Sequence, residues 1–253
     1  MLAIGIIDKI DNEVITRGGP QLKCIATFSV GYEPIDLEAC KKLGIRVTRC
    51  PNGCYCGINY DSIVGRLFET DKDVYSGGWK SWSPNYMCGQ GLNSCQVGLI
   101  GFGRIRQHQE AAEKVRACFL TFEEMVSESD VIIVCCSLTP STQGIFDECA
   151  FSKMKRNCIF INTARGSIVD QQALYETLKE KRIMAAELDV TIPELLPLGD
   201  SLLKLNNIVI LPHIGSADIE ARIQMSHMTA LNILAALKDE NMIAEVPLYI
   251  FDA

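Results

Sequence analysis

The sequence predicts an α/β fold built on a doubly wound parallel sheet, with a second, smaller domain. Two observations carry this. Short, nearly continuous apolar runs alternate with capped, amphipathic segments, and strands that are apolar at every position belong to parallel sheets covered on both faces. One such run, "QVGLI" at 96–100, leads straight into Gly101-Phe102-Gly103, as a nucleotide-binding turn begins.

Taken in order, "MLAIGIIDKIDNEV" is apolar for only a few residues before Asp8, Lys9 and Asp11. It reads as a first strand and as a poor signal peptide. "LKCIATFSV" (22–30) is rich in β-formers and stops at Gly31. In "DLEACKKLG" Asp36 caps a helix and Gly44 ends it, as short polar and glycine residues do. "IRVTRC" (45–50) and "CQVGLI" (95–100) are the next strands. "CFLTF" (118–122) is the available second strand after the glycines, and Glu123 and Glu124 look like the start of a helix. "DVIIVCCSL" (130–138), "CIFINT" (158–163), "RIMAAELDV" (182–190) and "NNIVILP" (206–212) complete the strands, and Asp170 caps "QQALYETLKEK". From 217 to 237, Ile219, Ile223, Met228, Leu231, Leu234 and Leu237 fall on one helical face.

The 253 residues carry a formal charge of −7, and Lys and Arg cluster no further than pairs. Phosphate backbones are bound by basic patches, so nucleic acid is excluded as a partner. No apolar run is long enough to cross a bilayer. The twelve cysteines sit largely in apolar runs and stop at Cys158. They read as reduced, buried thiols of a cytoplasmic protein. Cys50, Cys54 and Cys56 form the one tight group, with no second ligand pair at zinc spacing, so no metal is expected.

Ligands of parallel sheets sit at the carboxyl ends of the strands. The loops after Ile100, Leu138, Thr163, Val190 and Pro212 should therefore face one cleft. Arg165 follows "CIFINT"; it can fork onto a carboxylate or make a surface salt bridge. Asp189 reads as lying inside its strand, and Glu194 as lying in a proline-bounded loop after it. His213, one of three histidines, ends the last strand. Together they compose a mechanism. Arg165 holds the carboxylate of an α-keto acid, and His213 gives its proton to the keto oxygen. Glu194, if it touches His213, favours the imidazolium. A nicotinamide delivers the hydride, which no side chain can supply.

"NTARGSIVDQQAL", "ELDVTIPELLP" and "ILPHIGSA" resemble the signature segments of the D-isomer-specific 2-hydroxyacid dehydrogenases. "SVGYEPIDLEACKKLGIRV", "GGWKSW" and "CSLTPSTQGIF" are similar to its glyoxylate/hydroxypyruvate reductase branch. The resemblance implies a Rossmann-like dinucleotide-binding domain over 53–216. It implies a smaller flavodoxin-like substrate domain, incomplete and N-terminally truncated, over 1–52 and 217–253. It implies Arg165, Glu194 and His213 as the catalytic set, and Val30, Gly31 and Arg165 on the substrate. Gly101, Gly103, Arg104, Ile105, Arg106, Ser137, Thr163, Asp189 and Gly215 would line the cofactor, NADPH in preference to NADH. The implied reactions are glyoxylate to glycolate and hydroxypyruvate to D-glycerate, and the implied assembly is a homodimer.

The chain also departs from the pattern. Arg106 stands where the third glycine of the turn belongs. The preferred reading is an internal loss near 105–106, which removes the phosphate-binding helix and the following strand. Arg106 would then be the residue that meets the 2′-phosphate in NADPH-using relatives, displaced from its place. Such a loss removes amide donors and a helix dipole and exposes apolar sheet surface. Glu187 stands where the family has glycine, and a carboxylate inside a buried strand costs several kcal/mol unless partnered. Two alternatives to an active reductase follow. One is a non-catalytic relative serving as a dimerising or partner-binding module. The other is a non-functional truncated isoform.

Overall fold

A computed structural model describes residues 9–50, 66–88, 95–101, 112–113 and 116–248, together with the backbone of 2–4. The chain divides into two compact units, 1–57 with 215–253 and 58–214.

The first unit holds three parallel strands, β1 (Leu2–Ile4), β2 (Cys24–Thr27) and β3 (Arg46–Thr48), in that order. β2 is buried at every position, as the central strand of a covered parallel sheet must be. The connecting helices α1 (Asn12–Arg17) and α2 (Leu37–Lys42) start where Asp11 and Asp36 accept backbone N–H groups of the first turn. Ile15, Ile25, Ile35, Leu37 and Val47 close the core with Val246.

The long helix of this unit, which begins beyond the second unit, runs Ile219–Leu237. Its packed stripe is Ala221, Met225, Thr229, Asn232 and Ala236. The apolar face expected from the sequence is a different one: Ile219, Ile223, Leu231, Leu234 and Leu237 are all exposed. Small residues at 221, 229 and 236 let the helix backbone approach β2 and β3 closely. The buried Asn232 is satisfied there, its Oδ1 accepting from Ile243 N at 2.8 Å. Close approach and a satisfied amide outweigh the larger side chains in choosing the packed face.

The second unit is a five-stranded parallel sheet in sequential order: β4 (Val97–Ile100), β5 (Val131–Val134), β6 (Ile159–Asn162), β7 (Ala185–Leu188) and β8 (Ile208–Ile210). Its helices are α3 (Leu67–Tyr75), α4 (Phe122–Glu128), α5 (Glu148–Lys153) and α6 (Gln171–Lys179); the helix at 219–237 is therefore α7. α4, α5 and α6 cover one face, where Phe146 meets Phe122 and Phe160 edge to face. Val131, Ile159 and Ile161 lie on the opposite face.

"CFLTF" is not a strand. Thr121 caps α4 in a reciprocal box with Glu124, and Phe119 and Leu120 before it are exposed. A capping box holds two N–H groups at a helix start, which commits this segment to helix. Among the described residues β4 is thus an edge strand, with Val97 and Leu99 exposed, and the strand order never reverses.

The ten cysteines among the described residues form no disulfide. Burial pushes the Cys158 thiol up to about 12 and the Cys40 thiol up to about 11. Both act as small apolar side chains. Glu187 is buried in β7, and nothing in the structure explains a function for it.

Candidate active site

Because all five strands of the second unit run parallel, their carboxyl ends share one edge. The loops leaving that edge carry the candidate residues.

The loop after β6 is held by Asn162, the fully buried last residue of the strand. Its Oδ1 accepts from Ala164 N at 3.0 Å, and its Nδ2 donates to Arg165 O at 3.0 Å. The amide folds the turn so that Arg165 leaves it in extended conformation, just before a 3-10 turn at Gly166–Ile168. The half-buried Arg165 side chain donates from Nη1 to Ala164 O at 2.7 Å.

The loop after β7 lies directly against this turn. A Cβ on Gly166 would fall 2.4 Å from Thr191 O, so only glycine allows the approach. Gln171, the first residue of α6, pairs with both backbone groups of Ile192. Its Nε2 donates to Ile192 O at 2.8 Å, and its Oε1 accepts from Ile192 N at 2.9 Å. Two residues further on stands Glu194.

The loop after β8 is pinned by Asp189. This residue lies just past β7 rather than within it, and it is buried. Its carbonyl accepts from His213 N at 3.1 Å, and its carboxylate accepts from Ile214 N at 2.7 Å. These bonds hold His213 in a left-handed backbone conformation, φ 53°, of the kind that persists where surroundings over-determine it. His213 Nδ1 then lies 2.6 Å from Glu194 Oε1. A carboxylate can only accept, so Nδ1–H donates to Glu194 and Nε2 is the nitrogen left for other work.

At β4, Gly101 has φ 109°, and a Cβ there would meet Cys136 N at 2.4 Å. The glycine is required by its own backbone angle and by the close approach of the segment just after β5. Ser137 O accepts from Thr142 Oγ1 at 2.8 Å, and Thr163 Oγ1 donates to Val134 O at 3.2 Å. Gly215 follows the His213 loop at the start of the other unit's second segment. Gly103, Arg104, Ile105 and Arg106 lie outside the described residues, as do His108, Cys54 and Cys56. Val30 and Gly31 belong to the first unit, beyond the carboxyl end of β2, where Ser29 Oγ donates to Gly31 O at 2.6 Å.

The structure therefore brings Arg165, Glu194, His213 and Asp189 to one edge of one unit. It adds three residues that sequence reading passed over: Asn162, Gly166 and Gln171. Asn162 carried a signal, being a polar residue ending an apolar strand. Gln171 carried none, since a glutamine in a helix's first turn is ordinarily solvated.

The fit of a nicotinamide dinucleotide divides in two. Gly101, whose missing side chain leaves the backbone open, and the strand edge bearing Thr163 and Asp189 are the described residues that would hold the pyrophosphate and nicotinamide ends. A strand beyond β4, where the adenosine ribose is read in doubly wound sheets, is not among the described residues.

Fold and site together define an α/β protein with an arginine and a carboxylate-held histidine at the carboxyl edge of a parallel sheet. Residues 106–215 match the D-isomer specific 2-hydroxyacid dehydrogenase, NAD binding domain. The glyoxylate reductase/hydroxypyruvate reductase of Mus musculus is 42% identical over 270 residues, covering 95% of this chain and 82% of that protein. Its Homo sapiens counterpart is 40% identical over 269 residues, again covering 95% and 82%. The TT0316 protein of Thermus thermophilus superposes with a TM-score of 0.88 at 35% identity, covering 97% of this chain and 85% of that one. The chain belongs to the D-isomer specific 2-hydroxyacid dehydrogenase family. The mouse match spans 270 residues, more than the 253 of this chain, so the relative carries residues inside the match that this chain lacks.

Proposed function

We propose that this chain reduces small 2-keto acids, glyoxylate to glycolate and hydroxypyruvate to D-glycerate, with NADPH in preference to NADH. The observation that carries the proposal is the Glu194–His213 contact at 2.6 Å, at the strand edge that also bears Arg165. When bound, the dihydronicotinamide supplies the hydride to the keto carbon. Arg165 forks onto the substrate carboxylate and turns the keto group toward His213. His213, protonated on both nitrogens, gives its Nε2 proton to the keto oxygen as negative charge develops there. Glu194 holds Nδ1–H, fixes the ring plane and balances the charge of the imidazolium. The proposal extends to a cytoplasmic homodimer.

Two observations favour a second reading. With β4 as an edge strand among the described residues and residues missing relative to the mouse protein, an internal loss near 105–106 accounts for both. That loss would leave a non-catalytic, partner-binding relative.

Turnover separates the two. Wild type should consume NADPH in the presence of hydroxypyruvate, and His213→Ala should not. Turnover that survived the substitution would sink the mechanism.

A further inference from the structure

Glu194 is useful to His213 only while its loop holds still. The loop is bounded by Pro193 and Pro197, and the Glu194 side chain is a third exposed. Loops of this kind are ordinarily mobile, and fixing one side-chain geometry costs conformational entropy. The backbone just before Glu194 is fixed by one side chain. Gln171 satisfies both the N–H and the C=O of Ile192, at 2.9 and 2.8 Å, reproducing with an amide the two-bond pairing of neighbouring strands. Thr191 Oγ1 adds a bond to Pro193 O at 2.9 Å.

Gln171 is itself anchored. Asp170 caps α6 by accepting from Gln172 N and Ala173 N. The segment before it runs back through the 3-10 turn to Arg165, and Gly166 lies against Thr191. The side chain at 171 therefore ties the arginine's loop to the glutamate's loop.

We infer that Gln171 is a positioning residue that sets Glu194 against His213 and keeps that pair in register with Arg165. The inference rests on the reductase reading for its purpose, but its geometry can be tested without turnover. Glutamate at 171 would keep the side-chain volume and lose the donor to Ile192 O. Alanine would lose both bonds.

The test is the ring tautomer of His213 in the full chain, read by long-range 1H–15N correlation with 15N-labelled histidine at a pH where the ring is neutral. His213→Ala assigns the signal among the three histidines. Wild type should show the Nδ1–H tautomer, held by Glu194, and Glu194→Ala should show the mixture of a free ring. Gln171→Ala and Gln171→Glu should both move to that mixture with far-ultraviolet circular dichroism unchanged. Retention of the wild-type tautomer in either folded variant overturns the role of Gln171, even if its melting temperature falls. A wild-type ring that lacks the Nδ1–H tautomer overturns instead the Glu194–His213 pairing on which the reductase reading stands.

Discussion

Glu194 Oε1 lies 2.6 Å from His213 Nδ1, joining the loop after β7 to the loop after β8. Neither residue holds the other's backbone; Gln171 fixes one loop and Asp189 the other. The pair can therefore be cut without unfolding the sheet. Glu194→Ala should lower kcat for hydroxypyruvate by about 100-fold or more, the lower range for loss of acid–base assistance, with a smaller change in KM. A rise in KM with kcat unchanged would assign Glu194 to substrate binding instead.

Arg165→Lys keeps the charge and loses the fork. KM for the keto acid should rise about tenfold or more, the worth of one charge-assisted hydrogen bond. An unchanged KM would return Arg165 to the surface salt-bridge reading. The amide beneath it predicts a different effect. Asn162→Leu leaves Ala164 N without its partner and Arg165 O with only the weaker bond from Ile168 N at 3.3 Å, and should lower stability by about 1–3 kcal/mol, read from urea unfolding.

Gly101→Ala places a Cβ against the Cys136 backbone at a φ of 109°. The strain should destabilise the second unit by about 1–3 kcal/mol. Cofactor affinity should fall with it, because the turn must deform. A variant as stable as wild type would mean that the turn is not packed as described.

At the opposite end of the sheet, the Gln96 amide, with Lys155 and Asn157, holds the Asp130 carboxyl below its usual range. Its oxygens accept from Gln96 N at 2.9 Å and Lys155 Nζ at 3.1 Å. A carboxyl depressed in the folded state contributes stability above its unfolded value, about 3.9, and loses it as pH falls through the lower folded value. Wild type should exceed Asp130→Asn by about 1–3 kcal/mol at pH 7, and the gap should narrow as the solution is acidified below the unfolded value. A gap independent of pH would mean that packing, not charge, is lost.

How far the sequence could be read follows from what each residue answers to. The strands were legible because a buried parallel strand must be apolar at every position, as β5 and β6 nearly are. Asp36, Asp170 and Gly44 were legible because caps act within one turn. The packed face of α7 was not, because Ala221, Thr229 and Ala236 win by smallness against a particular sheet, and periodicity weighs only hydrophobicity. "CFLTF" failed for the converse reason: its β-formers were overruled by the local Thr121–Glu124 box. Arg165, Glu194 and His213 could be named from their places at strand ends. Gln171 could not, since its role exists only once Ile192 is brought to it.

The most direct measurement is calorimetric titration of the folded protein with NADPH and with NADH. Saturable micromolar binding, tighter for NADPH, is the predicted result; it would show that the Gly101 turn and the β6–β8 edge hold the dinucleotide. No binding of either by a protein that circular dichroism shows to be folded would contradict the reductase. It would leave Arg165, Glu194 and His213 as an inherited arrangement in a chain that works by binding a partner.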